Sequence, residues 1–142
     1  LDEITEARIA LEPALAARAL AAVGKNARAR EKLIAELSAI DDDLDVAILQ
    51  GDAEAYGQLN SDFHFALYEA ARAPVLLGLV ESLWLQVGPF MRVVVGRLGT
   101  SALIDQHKEA IEGLQACDEK KIKRAVRLDI LEGMKKIRGA DL

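Results

Sequence analysis

The sequence predicts an all-α domain, an antiparallel bundle of six or seven helices. Apolar residues recur at steps of three and four along almost the whole chain, and no segment alternates as a strand does. Aromatic residues make up only 4% of the 142 residues and three prolines interrupt them, which favours helix over strand. With 51% apolar residues, a chain of this length is sized for one domain, and its connections are short enough for antiparallel neighbours.

The first two helices are delimited by residues that end or cap helices. We expect the first from Ile4 to Val23, with Pro13 as a possible kink and Gly24 as its terminator. The second is expected from Ala27 to Leu49, followed by Asp52 as the N-cap of the next helix. The apolar stripe of the second helix consists of Leu33, Leu37, Ile40, Leu44 and Ile48.

The third and fourth predicted helices are separated by a proline. The third covers Ala53 to Arg72, and Pro74 begins a fourth that runs from Val75 to about Arg97. This fourth helix is apolar on most faces, so we expect it to be the most buried. Pro89 should bend or split it. Its charged and polar residues argue against a membrane span.

The last two predicted helices contain most of the basic residues. A turn around Gly99 leads to a fifth helix from Ala102 to Ala116, and Asp118 caps a sixth that ends near Arg138. The basic residues of the sixth helix most simply form a solvated face. They could also face a neighbouring domain or DNA already held by one.

Composition limits the classes of function. The formal net charge is −5, so the chain alone is a poor binder of nucleic acid. The single cysteine, Cys117, allows no internal disulfide and favours a cytoplasmic setting. The N-terminus lacks the pattern of a signal peptide, and Leu1 stands in place of an initiator methionine. We therefore expect a fragment whose upstream part is missing.

Polar residues fall on three buried helix stripes. His64 and Asn60 lie one turn apart in the third helix, while His107 and Asp129 lie on the inward faces of the fifth and sixth. A buried imidazole or carboxylate is costly unless it has a partner inside the fold, so we expect these groups to converge. Together they would suit a divalent ion of the Zn²⁺, Ni²⁺ or Mn²⁺ type. A buried His107–Asp129 hydrogen bond without a metal is the alternative.

The chain resembles the C-terminal effector-binding domain, called the FCD domain, of FadR-subgroup GntR-type transcription regulators. Ala7-Arg8-Ile9-Ala10-Leu11-Glu12-Pro13 is similar to the family's Arg-x-x-Leu-Glu first helix, and Asn60-Ser61-Asp62-Phe63-His64 to its Asp/Asn-x-x-Phe-His motif. Gln106-His107 resembles a later Glu-His pair, and Asp129 falls where a third His is common. The order and the intervals cover nearly the whole chain.

The resemblance implies a dimeric helical domain behind an N-terminal winged helix-turn-helix, which this chain lacks. In metal-binding members an Asp and three His residues hold a divalent ion, and a small carboxylate effector binds beside it. Carried over, the metal ligands would be Asn60, His64, His107 and Asp129. Asn60 replaces a carboxylate by a neutral amide oxygen, and Asp129 replaces a His and restores one negative charge. Some family members hold no metal.

Three further residues are candidates for binding the effector. Arg8 and Arg92 could each hold a carboxylate in a bidentate grip, although an ion pair with Glu12 one turn later is an equal explanation for Arg8. Tyr56 could line the pocket, or it could be an ordinary core tyrosine. Trp84 is assigned to the core or to a dimer interface.

These observations predict an effector-sensing and dimerisation domain of a transcription regulator rather than an enzyme. The effector would shift the relative placement of two upstream DNA-binding modules. A metalloenzyme with its centre at His64, His107 and Asp129 is one rival, but the sequence offers no further acid, base or nucleophile motif. A purely structural helical dimerisation module is the other.

Overall fold

The computed structural model describes residues 1–100 and 105–139, and within these ranges it contains six α-helices and no strand. The all-α prediction is therefore confirmed, and the helix number agrees with the lower of the two expected values. The helices are α1 (Asp2–Gly24), α2 (Ala27–Gln50), α3 (Ala53–Glu69), α4 (Pro74–Leu98), α5 (His107–Gln115) and α6 (Glu119–Gly139).

Side-chain caps set the N-termini of three helices. The side chains of Asn26, Asp52 and Asp118 accept hydrogen bonds from the backbone N–H groups three residues later, at 3.0–3.1 Å. Each bond satisfies one of the N–H groups that the first turn leaves without an intrahelical partner. The predicted caps at Asp52 and Asp118 are confirmed.

The core lies between α1, α3, α5 and α6, with α2 covering α3 and α5 from outside. α5 and α6 approach each other closely at Gly113. A Cβ built on Gly113 would lie 2.9 Å from the backbone nitrogen of Ile122, so any larger residue there would push the two helices apart. The fold thereby fixes α5 against α6, the two elements that contain His107 and Asp129.

Two predicted helix boundaries are wrong. α3 ends at Glu69 rather than Arg72, because Arg72 takes a left-handed backbone conformation with φ 50° that a helix does not allow. α5 begins at His107 rather than at Ala102, since Asp105 and Gln106 are not helical; residues 101–104 lie outside the described part. His107 is thus the first residue of its helix, where Asp105 accepts its backbone N–H at 3.1 Å.

The prediction that α4 is the most buried helix is wrong. The helix is continuous through Pro89, so of the two expected effects, a bend or a split, the split does not occur. It is the least covered of the long helices. Val75 is 77% exposed and Leu85 79% exposed. An apolar helix face is stable only when something packs on it. α4 packs on α1, α3 and α6, and its outer side is not covered by any residue that the structure describes.

The exposed side of α4 changes one further expectation. By length and mean hydropathy, Pro74–Leu98 is long and apolar enough to span a membrane, although its charged and polar residues led us to expect otherwise. The same test is passed by helices that pack in soluble proteins, so it is weak evidence for a membrane span.

Candidate functional site

Three side chains from three helices meet in the interior of the bundle. The Nε2 atom of His64 lies 2.8 Å from Oδ2 of Asp129 and 3.3 Å from Nε2 of His107. His107 Nε2 and Asp129 Oδ2 are 3.7 Å apart. Both histidines are buried and Asp129 is half-buried. The convergence predicted for His64, His107 and Asp129 is therefore present in the fold, and we call these three residues the His–His–Asp cluster.

The outer nitrogen of His64 is tied to a buried carboxylate through a tyrosine. His64 Nδ1 lies 3.1 Å from the hydroxyl of Tyr68, and that hydroxyl donates to Glu12 Oε1 at 2.8 Å. Because the single hydroxyl proton is used on Glu12, the contact with His64 requires Nδ1–H to donate to the tyrosine oxygen. Nε2 is then the ring nitrogen that faces the cluster, where it donates to Asp129 at 2.8 Å and, once it gives up that proton, can bind a metal ion.

Glu12 is the most heavily bonded side chain near the cluster. It is 0% exposed, and besides Tyr68 it accepts from Arg8 at 2.5 Å and from the indole N–H of Trp84 at 2.9 Å. Arg8 also lies 4.9 Å from the centre of the Trp84 ring. Three donors offset the cost of burying one carboxylate, and together they fix Arg8, Tyr68 and Trp84 around His64.

The ring of His107 lies between two acidic environments. Nε2 faces the cluster, while Nδ1 is 3.7 Å from Oδ1 of both Asp41 and Asp105. Phe63 stacks on the ring with the centroids 4.0 Å apart and the planes 14° from parallel. Burial lowers the pKa of His107, but Asp41, Asp129 and Asp105 more than offset it, so the pKa lies above its ordinary value.

Asp129 is held as a carboxylate. Its Oδ1 accepts the backbone N–H of Gln106 at 3.0 Å, and its Oδ2 faces His64. Burial raises the pKa of Asp129. The hydrogen bond and charge of His64, the charge of His107 and the backbone N–H of Gln106 lower the pKa by more than burial raises it. The net pKa lies well below the ordinary aspartate value, so an anion faces the two imidazoles.

The donor set fits a divalent metal ion. One ligand atom from each residue of the His–His–Asp cluster lies within 4.8 Å of the other two. Two nitrogen ligands about 2.1 Å from a tetrahedral ion stand roughly 3.4 Å apart, close to the 3.3 Å between the two Nε2 atoms. Two imidazoles and one carboxylate are ligands for Zn²⁺ and its first-row neighbours.

The cluster borders a cavity of about 1130 Å³ between α3, α4 and α6. His64 and Asp129 belong to both the cluster and the cavity wall, so a molecule in the cavity can reach the cluster. Three cationic residues line the cavity, Arg8, Arg92 and Lys136. Its apolar side is formed by residues of α3 and α4, including Phe65, Trp84, Leu85, Val87, Met91 and Val95.

The other predicted site residues take different positions. Asn60 lies in the cavity wall one turn before His64, and Arg92 is exposed at the same cavity. Arg8 is buried in the ion pair with Glu12 while it also lines the cavity, so the two interpretations of Arg8 are compatible. Tyr56 is both a cavity residue and part of a small apolar cluster with Leu44, Ala47 and Val95.

Burial also changes the ionisation of two cavity residues. It raises the pKa of the Tyr56 hydroxyl well above its ordinary value, with the charges of Asp129 and Asp105 adding to the effect. Burial lowers the pKa of Lys136, and this is only partly offset by Glu132, Asp129 and Asp105. Tyr56 therefore stays a neutral phenol in the cavity wall, able to act as a hydrogen-bond donor.

Sequence reasoning missed four residues of the site: Asp41, Tyr68, Trp84 and Lys136. Asp41 had a usable signal, because it falls between Leu37 and Leu44 at helical spacing on the buried stripe of α2. Its neighbours Asp42 and Asp43 are exposed, so the acidic run as a whole looks like a solvated face. Tyr68 lies one turn after His64, so its position also follows from spacing. Trp84 lies in the cavity wall, and nothing in the local sequence distinguishes that from a core position.

Comparison with known proteins agrees with the fold and the motifs. The model of the FCD domain family matches residues 3–131. The HTH-type transcriptional regulator McbR of Escherichia coli is 31% identical over 122 residues, which cover 84% of this chain and 52% of McbR. A solved structure of E. coli McbR/YncC superposes with a TM-score of 0.88 at 22% identity, over 100% of this chain and 66% of that one. The chain thus spans about half the length of the curated relative.

Proposed function

Because this chain belongs to the FCD domain family, we propose that it is the effector-sensing domain of a GntR-type transcription regulator. The effector is a small organic acid that binds in the cavity beside a divalent metal ion. The observation that carries this proposal is that His64 and Asp129 belong at once to a convergent donor set and to the wall of a large cavity with three cationic side chains.

His64, His107 and Asp129 would hold the metal ion, and Asn60, which also lines the cavity, is the candidate for a fourth ligand. When bound, the ion supplies a Lewis-acid position for an effector carboxylate. The chain's own residues prepare that position. The chain of hydrogen bonds from His64 through Tyr68 to Glu12 directs the His64 Nε2 lone pair inward, and the anionic Asp129 balances part of the metal charge.

The cavity favours an acid with a hydrocarbon part. Arg92 is exposed at the cavity and, in the part of the chain that the structure describes, forms no ion pair, so it is free to bind a carboxylate. Lys136 is the second available cation, whereas Arg8 would have to share its guanidinium with Glu12. Phe65, Val87 and Met91 offer an apolar wall for the carbon skeleton, and Tyr56 offers a hydroxyl.

We propose that the domain forms a homodimer through the outer face of α4. Val75, Leu79, Phe90 and Val93 are exposed and share one side of that helix at helical spacing. Ser82 and Gln86 lie on the same side, so this face is apolar at both ends with a polar middle. Several large apolar residues exposed on one helix face are typical of an interaction site. Trp84 and Arg92 of the same helix line the cavity, so an effector in the cavity and the partner subunit would both contact α4.

The effector would change DNA binding by a winged helix-turn-helix that precedes this domain in the full regulator. The relative McbR, an HTH-type transcriptional regulator, supports this part of the proposal. The effector would stabilise one arrangement of the dimer over another, and it can shift the equilibrium only by its difference in affinity for the two. This role requires no turnover of the acid, and it places the protein in the cytoplasm.

Metal binding is tested by titrating the purified, chelator-treated domain with Zn²⁺, Ni²⁺ and Mn²⁺ in a calorimeter. We expect one ion per chain, and loss of binding in His64→Ala and Asp129→Asn. Asp62→Asn is the matched control, because Asp62 is an exposed carboxylate of α3 bonded to Gln58 and should not affect the ion. Equal binding by all four proteins would exclude the proposed centre.

Effector binding is tested by a thermal-shift screen of small carboxylates on the metal-loaded domain, followed by calorimetry on the acids that raise the melting temperature. Arg92→Ala should weaken binding of such an acid about tenfold or more, the effect of losing a charged hydrogen-bond partner. Arg127→Ala, which removes an exposed arginine of α6, should leave it unchanged. A domain that no acid stabilises would instead be a structural dimerisation module.

A further inference from the structure

Asp41 differs from the other acidic residues around it. It belongs to the acidic run of α2 with Asp42, Asp43 and Asp45, yet it is only 3% exposed. Its Oδ1 atom and the Nδ1 atom of the 1% exposed His107 are 3.7 Å apart. Among the described residues, these two buried atoms are the ones that lack a hydrogen-bond partner. Two complementary groups are thus left facing each other without a bond between them.

The surroundings of Asp41 fix its carboxylate in this orientation. Lys108 donates to Asp41 Oδ2 at 2.7 Å and to Asp45 at 2.8 Å, so the other oxygen of Asp41 is left for the imidazole. Asp105 is a poorer partner at the same 3.7 Å from Nδ1, because its Oδ1 already accepts the backbone N–H of His107. A displacement of less than an ångström brings Asp41 Oδ1 within hydrogen-bond distance of His107 Nδ1.

The ring of His107 cannot easily turn away from Asp41. Phe63 stacks on one face of it at 4.0 Å, and its Nε2 edge is directed at His64 and Asp129. The proton on His107 therefore has two possible positions, toward Asp41 on Nδ1 or toward the His–His–Asp cluster on Nε2. A proton on Nε2 would occupy the lone pair that a metal ion needs.

We propose that Asp41 is the positioning residue of the metal centre: it accepts the Nδ1–H of His107 and so keeps the Nε2 lone pair directed at the ion. This inference rests on the proposed function. In it, Lys108 holds the Asp41 carboxylate in place through its hydrogen bond to Oδ2. The two histidines are then treated alike, because each has its outer nitrogen tied to a buried carboxylate, His64 through Tyr68 to Glu12 and His107 directly to Asp41.

The test compares Asp41→Ala, Asp41→Asn and the matched control Asp42→Ala, an exposed position in the same acidic run. Calorimetric titration with Zn²⁺ should show Asp41→Ala weakening metal binding about 10- to 100-fold, the usual cost of removing the partner of a ligating histidine. Asp41→Asn keeps an acceptor oxygen and a similar shape, so it should lose less. Asp42→Ala should bind as the unsubstituted domain does.

A second readout needs no metal. In the chelator-treated domain, ¹⁵N NMR of the imidazole rings should show His107 with its proton on Nδ1, and Asp41→Ala should move that proton toward Nε2. Unchanged His107 spectra and unchanged Zn²⁺ affinity in both Asp41 variants would overturn the proposal. If the unsubstituted domain binds no ion, the metal centre itself fails, and the NMR comparison alone then decides whether Asp41 positions His107.

Discussion

At the residue scale, the buried charges of this domain are balanced one against another. Arg8 and Glu12 form an ion pair inside the bundle, where water cannot solvate either charge. Removing one member of such a pair leaves the other buried without a counter-charge, which costs more than the pair contributes when both are present. Glu12 should therefore be among the polar positions at which substitution is most damaging.

Glu12→Gln should lower the free energy of unfolding by about 3–5 kcal/mol, because Arg8 remains buried without its anion. Urea unfolding followed by far-UV circular dichroism measures the change. Glu112→Gln is the control, since Glu112 pairs with Lys121 at the exposed surface and its loss should leave the midpoint unchanged. Equal midpoints for Glu12→Gln and the unsubstituted domain would show that the buried pair contributes nothing.

The metal-free domain should lose stability in acid in part through Asp129. The pKa of Asp129 is lowered in the folded chain, so the carboxylate contributes stability that is fully present above the ordinary aspartate pKa of about 3.9 and is lost as the pH falls through the folded value. With chelator present, the urea midpoint of the unsubstituted domain should fall more steeply below about pH 4 than that of Asp129→Asn. Parallel pH curves for the two proteins would contradict this.

At the element scale, helix order and caps follow from local sequence, but tertiary coverage does not. Asp52 and Asp118 predict their helix starts because a cap depends on residues within one turn. The burial of α4 was mispredicted because an apolar helix has the same composition whether its cover comes from its own chain or from another. The start of α5 is wrong because apolar spacing gives no sign that Asp105 and Gln106, directly before His107, are not helical.

Gly113→Ala should destabilise the domain by about 1–3 kcal/mol, because the new methyl group meets the backbone of Ile122 rather than a flexible side chain. Gly57→Ala is the matched control within a helix, where a Cβ meets nothing within 4 Å. The control should be neutral or slightly stabilising, since alanine favours helix. Thermal unfolding of both variants decides the matter, and equal loss in the two would show that the α5–α6 approach is not tight.

At the scale of the whole molecule, the sequence predicts which polar residues meet in the core but not all the residues that surround them. His64, His107 and Asp129 lie on three different helices, and their polarity on apolar stripes was enough to indicate that they meet. Spacing within a helix gives no distances between helices, so it does not place Asp41 beside His107 or Trp84 beside His64. Which groups surround an imidazole becomes visible only when the helices are packed.

The proposed dimer makes α4 the element through which subunits communicate. Leu79→Glu, on its outer face, should convert the domain to a monomer in multi-angle light scattering, because a charge would be buried at the subunit contact. Leu49→Glu introduces the same charge at an exposed position of α2 and should leave the mass unchanged. A Leu79→Glu protein with the mass of the unsubstituted dimer would place the contact elsewhere.

The position of Trp84 gives the protein an optical reporter of its own. It is the single tryptophan of the chain, its ring centre lies 5.1 Å from that of His64, and its indole N–H is bonded to Glu12. Paramagnetic Ni²⁺ at the cluster would quench its emission, and an acid that displaces water from the cavity would shift the emission wavelength. Occupancy of the two subsites can thus be followed separately in a fluorimeter, without dye or label.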